Sequence, residues 1–153
     1  MPPAIFHVFP CAAEAKEQLK ALRKGFDEAC GELVWYQPNE LMQTPFPKNE
    51  EAFEQLQRVI DSSDTSALTV YRHCDCFDIV PKGLDKAAGL KLFAENERLS
   101  AEDMIAVGDG VNDIPMFEFA DVSVKIGRGI DYEADYAFNS IQEAMRHILE
   151  NRI

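Results

Sequence analysis

Apolar and polar positions follow two different rhythms along this chain. In "AAEAKEQLKALRKGFDEAC" (12–30) the apolar residues recur at helical spacing among charges, which predicts an amphipathic helix stopped by Gly31. "NEEAFEQLQRVIDSS" (49–63) predicts a second helix: Asn49 stands at the cap position, and Phe53, Leu56 and Val59 or Ile60 share one face. Short runs rich in β-formers, "AIFHVF" (4–9), "ELVWYQ" (32–37), "ALTVYRH" (67–73) and "CFDIVP" (76–81), predict strands, the last two close enough to pair as a hairpin. "PNELMQTPFPK" (38–48), with three prolines, reads as a loop.

The rhythm changes after Pro81-Lys82-Gly83. "LDKAAGLKLFAENE" (84–97) predicts a helix, and "SAEDMIAVGDG" (100–110) a Ser-x-x-Asp start and a buried strand. "NDIPMFEFA" (112–120) predicts a short helix, with Pro115 tolerated in its first turn. "DVSVKIG" (121–127) and "YAFN" (136–139) are strands, and "SIQEAMRHILENR" (140–152), capped by Ser140, is a closing amphipathic helix. Residues 1–81 thus read β-α-β-α-β-β, the order of an α+β layer with an antiparallel sheet. Residues 82–153 alternate helix and strand, which predicts a parallel sheet flanked by helices. The fold class is α/β, in two domains.

Composition narrows the function. The 153 residues are 46% hydrophobic, enough for a core, and no apolar run is long enough to span a bilayer. The N-terminus lacks a basic region before its apolar stretch, so a cytoplasmic protein is expected. A net charge of -12 repels polyanions, which argues against nucleic acid and leaves a small phosphorylated ligand that meets local positive charge. "RHCDC" (72–76) gathers His73, Cys74 and Cys76 and invites a zinc reading. Alternation puts the two cysteines on one strand face and His73 on the other, and no second ligand pair follows, so reduced cysteines are the plainer reading.

The sharpest chemistry lies in "MIAVGDGVNDIPMF" (104–117). Ligands of parallel sheets gather at the carboxyl ends of the strands, where Asp109 stands. Gly108 and Gly110 permit a tight turn and close approach of a ligand. Asp113 follows one helical turn later, so both carboxylates can face one point, and oxygen ligands at that density suit Mg²⁺ better than Zn²⁺. The spacing does not match an EF-hand: Val111 occupies a ligand position. The plain alternative is a turn with Asp and Asn caps.

"FDIVPKGLDKAAGLKLF" followed by "AVGDGVNDIPMF" resembles the third and fourth motifs of the haloacid dehalogenase superfamily of phosphatases. "DIVPKGLDKAAGL" is similar to the hinge of its sugar-phosphatase group, which includes sucrose-phosphate, trehalose-phosphate and mannosylphosphoglycerate phosphatases and the Cof-type hydrolases. The resemblance implies that Lys86 binds the phosphate; Lys82 is a second candidate by position, with worse spacing to the helix. It implies that Asp109 coordinates Mg²⁺, that Asp113 is a metal or metal-water ligand, and that Asn112 lies near the phosphate. Residues 1–81 then resemble that group's α/β cap, and 82–153 the C-terminal half of its Rossmann-like core. A Lys and a divalent ion would neutralise phosphoryl oxygens as charge shifts in the transition state. Trp35, Tyr36 and Tyr71 are candidates to line a sugar site, against the commoner fate of strand aromatics in the core.

The family's first motif, an apolar strand ending in D-x-D-x-T/V, is absent from these 153 residues. In the family its first Asp attacks phosphorus and its second serves as acid and base. "AIFHVFPCA" carries no acid, and "DSSDT" (61–65) and "DCFD" (75–78) have the wrong spacing. The expectation is therefore cap plus half a core: a truncated phosphatase, inactive alone. The strand before Asp109 becomes an unpaired apolar edge. That edge predicts self-association, pairing with a first-half chain, or a strand borrowed from the chain's own N-terminal region. The competing readings are a non-catalytic binding or interaction module derived from such a phosphatase, and an unrelated α/β domain with a chance motif.

Overall fold

The fold is taken from a computed structural model, which describes residues 13–151; the strand expected at 4–9 lies outside them. The chain divides into two compact units, Met1–Leu84 and Asp85–Ile153.

In the first unit, α1 (Ala13–Cys30) and α2 (Glu50–Ser62) pack on one face of an antiparallel layer. Leu19, Leu22 and Phe26 of α1 meet Leu56 and Ile60 of α2 and Leu68, Phe77 and Ile79 of the strands. Asn49 caps α2 by accepting from the Ala52 N–H at 2.8 Å. The helices approach closely at Gly25, where a Cβ would stand 2.7 Å from Val59 Cγ1. The hairpin of β3 (Leu68–Arg72) and β4 (Phe77–Pro81) forms as its alternation predicts.

Two boundaries differ from the sequence reading. Residues 31–33 form a 3₁₀ turn that starts from Gly31 at φ +51°, so β1 is only Val34–Tyr36. The proline-rich 38–48 stretch contains a strand, β2 (Pro45–Pro47), antiparallel to β1 with Trp35 opposite Phe46. The prolines are tolerated because they occupy alternate positions, and by that alternation their missing N–H groups face away from β1. On that far side Gln43 bridges Ile79 of β4 through two bonds of 2.9 Å, and the pairing stops where Pro45 has no donor. The Gln43–Ile79 bridge thus sets β2 beside β4 and links two separate two-stranded sheets, β1-β2 and β3-β4.

The second unit is a three-stranded parallel sheet with helices. Its elements are α3 (Lys86–Glu97), β5 (Ile105–Gly108), α4 (Ile114–Phe119), β6 (Val122–Ile126), β7 (Tyr136–Phe138) and α5 (Ile141–Asn151). The strand order is β5-β6-β7, both pairs parallel, with Gly108 opposite Lys125. Among the described residues β5 is an edge. Asp85 caps α3 through the Ala88 N–H at 2.8 Å. Ser100 and Asp103 close a capping box that precedes β5, bonded at 2.7 and 2.9 Å. Ala106, Phe117 and Ile130 form a small core. No described helix is long and apolar enough to cross a membrane.

Candidate active site

The loop that leaves β5 is organised around one side chain. Asp113 ends a 3₁₀ turn (Val111–Asp113) and is 3% exposed. Its Oδ2 accepts the N–H of Asp109 at 2.9 Å and of Gly110 at 3.0 Å, and its Oδ1 accepts from Lys86 Nζ. Lys86, the first residue of α3, also donates to Asn112 Oδ1 at 3.3 Å. Burial pushes the Asp113 carboxyl upward. The Lys86 hydrogen bond, the Gly110 N–H, the Lys86 charge and the Asp109 N–H together outweigh it, so the group titrates below its ordinary value. Asp113 is therefore an anion at neutral pH.

The glycines have a reason that spacing alone did not supply. A Cβ on Gly108 would stand 2.5 Å from Asp113 Cβ, Cγ and Oδ2, and one on Gly110 would stand 2.8 Å from Asn112 Oδ1. Neither has a positive φ; the constraint is the room taken by the Asp113 and Asn112 side chains.

Lys86, Asn112 and Asp113 are thus brought together with Gly108 and Gly110 at the carboxyl end of β5. Asp109 is exposed there, and its carboxylate makes no hydrogen bond among the described residues. Asp109 and Asp113 supply hard oxygen donors, the right class for Mg²⁺, which commonly takes one or two carboxylates and keeps several waters. No cluster of three His, Cys, Asp or Glu suited to a metal occurs among the described residues. The donor set fits Mg²⁺ in kind: the Asp109 carboxylate is open, and Asp113 is already committed to Lys86 and two backbone donors. Lys82 belongs to the first unit, where its N–H donates to the Ala67 carbonyl at 2.9 Å.

The His73, Cys74 and Cys76 group does not form a zinc site in this structure. His73 Nε2 lies 3.2 Å from Asp78 Oδ2. Burial, Asp75 and Asp78 push the Cys76 thiol up to about 12, and no group of three His, Cys, Asp or Glu suited to a metal occurs there among the described residues. The Asp78 pair is a polar network that the sequence reading missed. Its one signal was an acid inside the apolar run "CFDIVP".

Residues 13–143 match the sequence profile of the haloacid dehalogenase-like hydrolases, and the chain belongs to that family. It is 41% identical over 69 residues to the stress response protein YhaX of Bacillus subtilis, covering 43% of this chain and 24% of that protein. It is also 41% identical over 61 residues to a phosphoglycolate phosphatase of Methanosarcina acetivorans, covering 40% of this chain and 26% of the relative. Among solved structures, the subclass IIB sugar phosphatase BT4131 superposes with a TM-score of 0.56 at 26% identity, over 71% of this chain and 43% of the phosphatase. The chain spans about a quarter of those two curated relatives and under half of that solved phosphatase.

Proposed function

We propose that this chain contributes the phosphate- and metal-binding part of a Mg²⁺-dependent phosphatase acting on a small phosphorylated sugar or related metabolite. The observation that carries the reading is the Lys86–Asp113 pair at the carboxyl end of β5, with Asn112 and exposed Asp109 beside it. The names of the phosphoglycolate phosphatase and the sugar phosphatase support the reaction class. Lys86 supplies a cation for non-bridging phosphoryl oxygens. Asp113 holds that ammonium in place and fixes the loop backbone, and Asn112 offers an amide beside it. Asp109 and Asp113 would hold Mg²⁺, which would add charge neutralisation that grows in the transition state.

No D-x-D-x-T/V motif occurs in the 153 residues, so the attacking aspartate comes from sequence outside them. The same reading gives edge strand β5 a parallel partner strand, from a second copy or from a first-half chain. The three free thiols of Cys30, Cys74 and Cys76 support a cytoplasmic setting. The missing motif also favours a second reading, a family member that binds phosphate without hydrolysing it.

Hydrolysis of p-nitrophenyl phosphate by the purified chain with Mg²⁺, beside Asp109→Ala, tests the assignment. No turnover by the chain alone is expected. Mg²⁺-dependent turnover that Asp109→Ala abolishes would overturn the placement of the nucleophile elsewhere.

A further inference from the structure

A groove of about 390 Å³ runs along α1 beside the loop that joins β1 to β2. It belongs to the helix side of the first unit, because Tyr36, which packs toward the helices, forms part of its wall. Among the described lining residues three cations, Lys16, Lys20 and Arg23, meet one acid, Glu40. That balance is the reverse of the chain as a whole, whose net charge is -12. The three cations follow one another at spacings of four and three residues on α1, so they share one face of the helix.

Arg23 is held in a fixed orientation. Its guanidinium carbon lies 3.4 Å from the centre of the Tyr36 ring. Its Nε donates to the two Asp27 oxygens at 3.3 and 3.2 Å, and the Tyr36 hydroxyl donates to the same carboxylate at 2.9 Å. Stacking and the Nε bonds use the ring face and one N–H of the guanidinium. The two terminal amino groups, Nη1 and Nη2, have no hydrogen-bond partner among the described residues. The side chain is 47% exposed, so those groups are reachable. Lys16 makes no ion pair among the described residues. Lys20 pairs with Glu17 at 2.7 Å, with both side chains 72% exposed, and a pair so open to water is weak and exchanges readily.

We propose that this groove binds a small dicarboxylate. One carboxylate takes both Nη groups of Arg23 as a bidentate pair, and the other meets the ammonium groups of Lys20 and Lys16. A planar carboxylate matches two parallel N–H donors, and a guanidinium already oriented by Tyr36 and Asp27 loses little freedom on binding. Lys20 precedes Arg23 by three residues, about 5 Å along the helix axis, a distance that a short aliphatic spacer between carboxylates spans. Leu19 and Met42 give that spacer an apolar wall. The site lies in the first unit alone and does not depend on Lys86.

The full chain is titrated with succinate, glutarate and inorganic phosphate without Mg²⁺, at an ionic strength held constant with sodium chloride. Binding is followed by ¹H–¹⁵N NMR of the Arg23 Nε–H and of the backbone amides of residues 36–43. Saturable shifts are expected with at least one dicarboxylate, at lower concentration than any caused by phosphate. Arg23→Gln is expected to weaken the midpoint about tenfold, the loss of one charged bidentate contact. Lys16→Ala, which leaves Arg23, Tyr36 and Asp27 in place, is expected to weaken it severalfold. Lys86→Ala is expected to leave it unchanged, so failure of the phosphatase reading would not remove the dicarboxylate response. No saturable shift with either dicarboxylate overturns the proposal, as does phosphate binding at least as tightly. Arg23→Gln or Lys16→Ala protein that is folded by circular dichroism and binds as wild type overturns it too. A midpoint lost in Lys86→Ala would assign the binding to the other site and overturn it as well.

Discussion

Gly108→Ala isolates what holds the candidate loop. The added methyl carbon would stand 2.5 Å from three atoms of Asp113, closer than real Cβ contacts. Asp113 must then swing away, and it takes with it bonds to the Asp109 N–H, the Gly110 N–H and Lys86. Charged hydrogen bonds contribute roughly 1.5–3 kcal/mol each. Water reaches the displaced groups and restores part of that, so a net loss of about 3 kcal/mol is expected. For a unit of this size that lowers the unfolding midpoint by roughly 10–20 °C. Gly89→Ala is the control: it lies within α3, and an added Cβ meets nothing within 4 Å. There the same substitution should stabilise by about 0.5–1 kcal/mol, because helical glycine is entropically costly. Urea unfolding followed by circular dichroism, with hydrogen exchange of 105–113, gives both numbers. A Gly108→Ala protein as stable as wild type, with unchanged protection of the Asp109 and Gly110 amides, would refute the crowding argument.

Other consequences follow from the same contacts. Because the Asp113 carboxyl titrates below its ordinary 3.8, its contribution to stability is present above that value and lost as pH falls through the folded pKa. The stability gap between wild type and Asp113→Asn should therefore be constant from about pH 5 to 8 and shrink below about pH 4 in acid titrations. Lys86→Met leaves Asp113 buried without its cation, so the Asp113 pKa should rise, read by ¹³C carboxyl NMR; an unchanged pKa would remove Lys86 as its partner. Exposed Cys74 should react with iodoacetamide well before Cys76, whose thiol is pushed up to about 12; mass spectrometry of the modified peptides decides the order.

Much of this architecture was legible in the pattern of side chains. Helical spacing in 12–30 and 49–63 and alternation in 67–81 arise from local geometry, and α1, α2 and the β3–β4 hairpin lie there. Asn49, Ser100 and Asp103 announced their caps because capping is a contact within four residues. β2 was hidden because three prolines suggest a loop, and only the partner strand shows that the missing donors of Pro45 and Pro47 are not needed. Trp35 and Tyr36 looked alike in sequence, yet alternation sends Tyr36 to the helices and leaves Trp35 exposed. At the site, the spacing of Asp109 and Asp113 was visible. That Asp113 would be enclosed by Gly108, two amides and Lys86 depends on α3, which lies 27 residues away in sequence from Lys86 to Asp113 and is brought near only by folding.

In the proposed function, Lys86, Asn112 and the Asp109–Asp113 loop form a phosphate site that Mg²⁺ strengthens. Inorganic phosphate binding to the chain by isothermal calorimetry, with and without Mg²⁺ and beside Lys86→Ala, tests it most directly. Saturable binding is expected that tightens with Mg²⁺, loses that gain in Asp109→Ala, and weakens at least tenfold in Lys86→Ala. Binding of equal strength in Lys86→Ala, or no binding by the wild-type chain with Mg²⁺, would contradict it.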